Sequence, residues 1–167
     1  MHLSKTLALL LPLVALAHVK PAPMDMAASA AAQEPIRPDL VLTPGAVLTS
    51  DASTICQPGY SRSVRHTSGK MKHQVYVEYG IDPNTGQHEI DHLIPLGIGG
   101  ADARENLWPE SRDTMTWNAG VKDRLENYLH VEVCAGHIAA QDAQKAIAAD
   151  WVAAYRKYLG EPYGESI

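Results

Sequence analysis

Five consecutive residues, His88-Glu89-Ile90-Asp91-His92, carry the densest chemistry in this chain. They fit two templates. As H-E-x-x-H they would place two imidazoles one helical turn apart around zinc, with the glutamate beside a metal-bound water, for peptide hydrolysis. As an Asp-His pair opening "DHLIPLGIGG" they would supply a carboxylate for a hard cation and an imidazole to take a proton from water, for metal-assisted phosphodiester hydrolysis.

Local punctuation separates the two. The zinc arrangement needs a helix running through the motif. Pro83, Asn84 and Gly86 stand just before it, and Pro95, Gly97, Gly99 and Gly100 follow. Proline disfavours helical geometry in its predecessor and clashes with the turn behind it. The run Ile90, Leu93, Ile94, Leu96 suits a strand better. The spacing therefore predicts a short strand over "QHEIDHLIPL", a glycine-rich loop "GIGGADAREN" and a second extended piece at "NLWP".

Around this hairpin the periodicity predicts helices. Met71, Val75 and Tyr79 recur four apart and Gly80 stands where a helix would end. "DPNTG" marks a turn. "WNAGVKDRLENYLHVEVC" reads as a helix with Trp117, Val121, Leu125 and Tyr128/Leu129 on one face. The segment from about Gln141 to Leu159 reads as one further helix, with Ala143, Ile147, Trp151, Tyr155 and Leu159 as an unbroken apolar stripe closed by Gly160 and Pro162. That stripe, with Trp108 and Trp117, is expected to be core.

The chain has 167 residues. His2 and Lys5, the apolar run Thr6 to Ala17, and the small-x-small ending Ala15-Leu16-Ala17 have the pattern of a cleaved signal peptide at residues 1–17. The run is too short to serve as a lasting membrane anchor. Export to the periplasm or the medium follows, with no membrane association after cleavage. Residues 18–45 are rich in Ala and Pro and read as a flexible leader, 46–160 as one folded domain, and 161–167 as a tail. In an oxidising compartment Cys56 and Cys134 are expected to form a disulfide; two separately buried thiols are the alternative. No CxxC pair supports a structural zinc knuckle.

The formal charge of -5 argues against a nucleic-acid binder judged on net charge. The distribution argues otherwise. From Ala52 to Val77 there is no acidic residue, while Arg62, Arg65, Lys70 and Lys72 fall there with His66 and His73. That stretch is a candidate phosphate-contact surface, its alternative an ordinary solvated face.

The ordered residues Asp91-His92-Leu93-Ile94-Pro95-Leu96, Gly99-Gly100 and Glu105-Asn106-Leu107 resemble the HNH endonuclease family. The wider set from Thr54 to Gly136 ("TIC", "YG", "DHLIPL", "GG", "NLWP", "KDRLEN", "LH", "VCAG") resembles small exported bacterial proteins of that type. The resemblance implies an α+β fold with a ββα-metal core, two short antiparallel strands and a helix, and mainly helical structure around it.

It also implies roles. His92 would be the general base, Asp91 a ligand of one divalent cation, and Asn106 the residue that pins the loop and orients the base. Asn118 would be the second ligand and Lys122 a phosphate contact. Mg²⁺ suits so few protein oxygens best; Mn²⁺, Zn²⁺ or Ni²⁺ are alternatives. The substrate would be DNA, with RNA open, and the oligomeric state is not specified.

This chain departs from the pattern between Asn106 and Asn118. "PESRDTMT" is a few residues longer than short family members carry, so Glu110, Asp113 and His130 stand as fallback ligands. His130 would lie roughly 18 Å along the helix from Asn118, too far to share one ion. Lys122 and Arg124 could equally be solvated charges, Asn118 a helix cap, and His88 and Glu89 a solvent-facing pair.

Overall fold

The computed structural model describes residues 37–162. The expected signal segment 1–17, residues 18–36 of the expected leader and residues 163–167 of the expected tail lie outside them. The elements run in the order α1 (Ala52–Ile55), α2 (Tyr60–Ser63), α3 (Gly69–Tyr79), β1 (His88–His92), β2 (Leu107–Ser111), α4 (Ala119–Cys134), α5 (Ala140–Ala149) and α6 (Trp151–Leu159). The fold is α+β: a two-stranded antiparallel sheet among helices.

The hairpin is where the alternating residues place it. β1 pairs with β2 in the register His88 with Ser111, Ile90 with Pro109 and His92 with Leu107. Side chains alternate across a strand. Glu89 and Asp91 therefore share one face with Glu110 and Trp108, and His88, Ile90 and His92 share the other. β2 runs on to Ser111, so the first three residues of the expected inserted loop, Pro109 to Ser111, are strand instead. The loop proper starts at Arg112.

α3 begins at Ser68, whose hydroxyl accepts from the Met71 amide at 3.2 Å, and stops at Gly80 with φ +66°. Both are expected terminators of a helix. α4 buries Val121, Leu125, Leu129 and Val133 at i, i+4 spacing. They pack in one core with Leu93, Ile94 and Ile98 from the hairpin side, and with Ile147, Trp151 and Tyr155. Truncating Leu125 or Leu129, both fully buried, would cost about 3 kcal/mol each.

The single helix expected from Gln141 to Leu159 is two. Asp150 is extended, with φ -167° and ψ 102°. Its carboxylate accepts from the amides of Val152 (3.0 Å) and Ala153 (3.1 Å) and pairs with Arg37 at 2.8 Å. An aspartate competes well for this capping position, so the apolar stripe bends rather than continues. Ala143, Ile147, Trp151 and Tyr155 stay buried across the break, while Leu159 is 37% exposed.

Packing also starts earlier than residue 46. Thr43 is fully buried, its hydroxyl donating to the Leu107 carbonyl at 2.8 Å and lying 2.7 Å from the Tyr79 hydroxyl. Residues 37–45 are thus part of the packed unit. Cys56 and Cys134 are joined by a disulfide with Cα atoms 5.6 Å apart, tying the end of α1 to the end of α4. Closing a loop of this length contributes about 4 kcal/mol in chain-entropy terms. No helix among the described residues is long and apolar enough to cross a membrane.

Candidate active site

Asp91 and His92 are adjacent in sequence and face opposite ways. That follows from the pleat of β1 and gives each a separate environment.

On His92's side, the imidazole is 3% exposed and its Nε2 lies 2.8 Å from Oδ1 of Asp102, itself 6% exposed. Asp102 also accepts from the His66 amide and the Thr67 hydroxyl. Burial alone would raise the Asp102 pKa, but the bonds from Thr67, His92 and His66 outweigh it and hold the carboxyl below its usual range. An ionised carboxylate only accepts, so His92 carries its proton on Nε2 and presents Nδ1 as the basic atom. Burial pushes the His92 pKa down by more than Asp102 and Asp91 raise it. The ring is neutral at neutral pH.

Asn106 organises the loop between the strands. Fully buried, it accepts from the Ile94 amide at 2.9 Å and the Ala46 amide at 3.4 Å, and donates to the carbonyls of Ile94 (2.8 Å) and Ala101 (2.9 Å). The backbone crosses closely here, which explains Gly99-Gly100. A Cβ on Gly100 would sit 1.9 Å from the Ile94 carbonyl oxygen, and one on Gly99 2.0 Å from that of Thr49. Any side chain at either position would break the knot. The knot fixes Ala101, and through it the neighbouring Asp102.

On Asp91's side, Lys122 of α4 is fully buried. Its ammonium donates to Asp91 Oδ2 at 2.5 Å and the His92 carbonyl at 2.8 Å, contacts Glu126, and lies 4.0 Å from Glu110. Burial would strip the lysine of its proton, but Asp91, Glu126 and Glu110 hold its pKa well above the ordinary value. Asp91 is likewise kept ionised: burial raises its pKa and the Lys122 charge more than compensates. The other two carboxyls go the opposite way. Burial drives Glu110 well up, and drives Glu126 up to about 8, each only partly relieved by Lys122. Glu110 is 2% exposed and its Oε1 is buried without a hydrogen-bond partner.

The remaining expected residues are dispersed. The Asn118 side chain caps α4: Oδ1 accepts from the Val121 amide at 3.1 Å and Nδ2 donates to the Thr114 carbonyl at 3.0 Å. Lys122, expected to meet phosphate, is walled in. The buried charge is possible because its partners come from β1, β2 and the next turn of its own helix. Arg65 lies near enough to His92 for its charge to act on the ring. Arg62, Lys70 and Lys72 are exposed, the lysines on the first turn of α3. Glu89 pairs with Arg112, with bonds of 2.9 and 2.7 Å. Asp113 is exposed, and His130 Nδ1 donates to the Gly97 carbonyl at 2.6 Å.

The H-E-x-x-H geometry is absent because the motif is strand. Four residues of strand separate His88 and His92 by roughly 13 Å, too far for one zinc ion.

A hard dication seeks several oxygen ligands. The residues here match one in donor type, while Lys122 already balances their charge. Asp91, Glu110 and Glu126 surround a single ammonium, and the orphaned Glu110 oxygen has no protein donor. They do not form a ready cage: among the described residues no group of three or more His, Cys, Asp or Glu is placed to hold a metal ion.

Sequence reading did not single out Asp102 or Glu126. For Asp102 a signal existed, since an acid two residues beyond the Gly-Gly crossing lies on the loop that Asn106 pins.

No protein-family model, curated protein or solved structure gives a significant match to this chain.

Proposed function

We propose that this chain is an exported, HNH-type, metal-dependent endonuclease that hydrolyses phosphodiester bonds of nucleic acid, DNA in the first instance. The observation that carries the reading is the His92–Asp102 pair: an imidazole kept neutral by burial, fixed in one tautomer by a carboxylate, with Nδ1 left to accept a proton.

In this reading Nδ1 of His92 takes a proton from the attacking water as the oxygen closes on phosphorus. Asp102 keeps the ring oriented and steadies the imidazolium that results. Asn106 holds the loop that carries Asp102. Asp91 would hold the divalent cation once Lys122 releases it, with the orphaned Glu110 oxygen a better second ligand than the capping Asn118, and a bend at the end of β1 would bring this face and His92 to one phosphate. Bound there, the ion would offset the charge that builds on the phosphoryl oxygens. The disulfide and the basic stretch before α3 support an exported protein that meets phosphate.

One observation favours a second reading, a non-catalytic nucleic-acid or envelope binding module: Lys122 already satisfies Asp91. The test is incubation of the mature protein with supercoiled plasmid in Mg²⁺, Mn²⁺ or EDTA. Nicking with metal and none in EDTA supports the hydrolase. Retarded but intact plasmid under every metal supports the module and removes the hydrolase.

A further inference from the structure

Beside the His92–Asp102 pair runs a polar trench that the catalytic reading does not use. One groove, of about 190 Å³, lies between Arg65, the Pro95–Gly97 turn and the α4 residues Glu126, Asn127 and His130. A second, of about 380 Å³, runs past Cys56, Tyr60 and Arg62. Ser61 and His130 line both. The two side chains converge on Gly97: a Cβ there would meet Ser61 Oγ at 3.6 Å and the His130 ring at 3.7 Å.

The trench is tied to the candidate catalytic pair at both edges. Arg65 directly precedes His66, whose amide is bonded to Asp102. On the other wall, Pro95 to Gly97 follows His92 by three residues. Its polar groups are of one kind. Arg62 and Arg65 are cations, Ser61 and Asn127 carry groups able to donate, and His130 gives its Nδ1 proton to the Gly97 carbonyl, which fixes the ring against that wall. The acid on the wall, Glu126, has its carboxyl against the Lys122 ammonium, so it presents no unbalanced charge.

We infer that this trench binds the phosphodiester backbone of a nucleic-acid strand next to the bond being cut, with Arg65 and Arg62 as its principal phosphate contacts. The inference rests on the proposed function and gives that site its strand-positioning part. Of the five basic residues expected to meet phosphate, Arg65 and Arg62 are in the trench, whereas Lys70 and Lys72 line neither groove and Lys122 is buried.

The test titrates a short fluorescein-labelled DNA strand into the wild-type protein in EDTA, read by anisotropy over a range of salt. Arg65→Ala is compared with Lys145→Ala, an exposed charge on α5 that lines neither groove. Arg65 is exposed, so its loss leaves the core intact. Arg65→Ala is expected to weaken binding about tenfold and to reduce the salt slope by about 0.7 to 0.9. Lys145→Ala is expected to do neither. In a parallel ¹⁵N spectrum the Ser61, Gly97 and His130 signals should move on titration.

Equal effects of the two variants, shifts mapping elsewhere, or no wild-type binding would overturn the trench. Binding with these shifts but no nicking under any metal would keep the trench and remove the hydrolase. Nicking with KM unchanged in Arg65→Ala would keep the hydrolase and remove the trench.

Discussion

Asp91 and His92 stand side by side in β1, yet the two faces of that strand solve opposite electrostatic problems. Asp91 enters a pocket where one ammonium serves three carboxyls, and the pocket is balanced by protonating Glu110 and Glu126. His92 enters a pocket where one carboxylate serves one imidazole, and burial keeps the ring neutral. The first face stores charge and holds the strand to α4. The second holds a proton acceptor ready. A single strand can separate the two tasks by one residue because the pleat does the separating.

If that division holds, the largest stability effect belongs to the first face. Lys122→Met should cost about 3 to 5 kcal/mol in urea unfolding at neutral pH, since it leaves the buried Asp91 carboxylate without its cation. The cost should shrink in acid, where Asp91 is neutral. A loss below about 1 kcal/mol would mean that the lysine is not the element's counter-charge.

Asn106→Ala should come next. It strands the Ile94 amide and carbonyl and the Ala101 carbonyl, for about 3 kcal/mol by thermal melting. It should also lower plasmid nicking, because the loop carrying Asp102 loses its anchor.

Asp102→Asn should affect catalysis more than folding. A 10–100-fold fall in kcat at unchanged KM is expected, roughly the cost of removing a residue that orients another. An equal fall in kcat and melting temperature through general loosening would assign Asp102 to structure alone.

The smallest effect sharpens the first face. Glu126 has a folded pKa of about 8 against an ordinary 4.5, so the unfolded chain releases this proton first as pH rises. Its contribution to stability is therefore full below pH 4.5 and is lost as pH rises through about 8. Glu126→Gln should stabilise the protein by about 1 to 2 kcal/mol above that range and not at all below it. A pH-independent difference in melting would refute the protonated carboxyl.

The elements that position the site were legible where a local signal sufficed. The prolines and glycines flanking His88 to His92 excluded a helix, and the Ser68 and Gly80 ends of α3 and the Val121–Leu125 stripe of α4 needed no tertiary information. What escaped was set by contacts distant in sequence. Lys122 reads as a solvated charge because nothing near it announces burial; its partners Asp91 and Glu110 arrive from two strands. Asp102 was not singled out, because its bond to His92 is made across the loop that Asn106 pins. Asp150 is the opposite case. Its capping tendency was local, but an apolar stripe that fits one long helix also fits two short ones meeting at a bend.

The central claim is that His92, not the carboxylate cluster, performs the proton transfer. Its most direct test is the rate of Mg²⁺-dependent plasmid nicking by His92→Ala, with circular dichroism to show that the variant is folded. A loss of about 10² to 10⁴ in rate with the fold retained is the result this account predicts. A folded His92→Ala protein that nicks at the wild-type rate would contradict it.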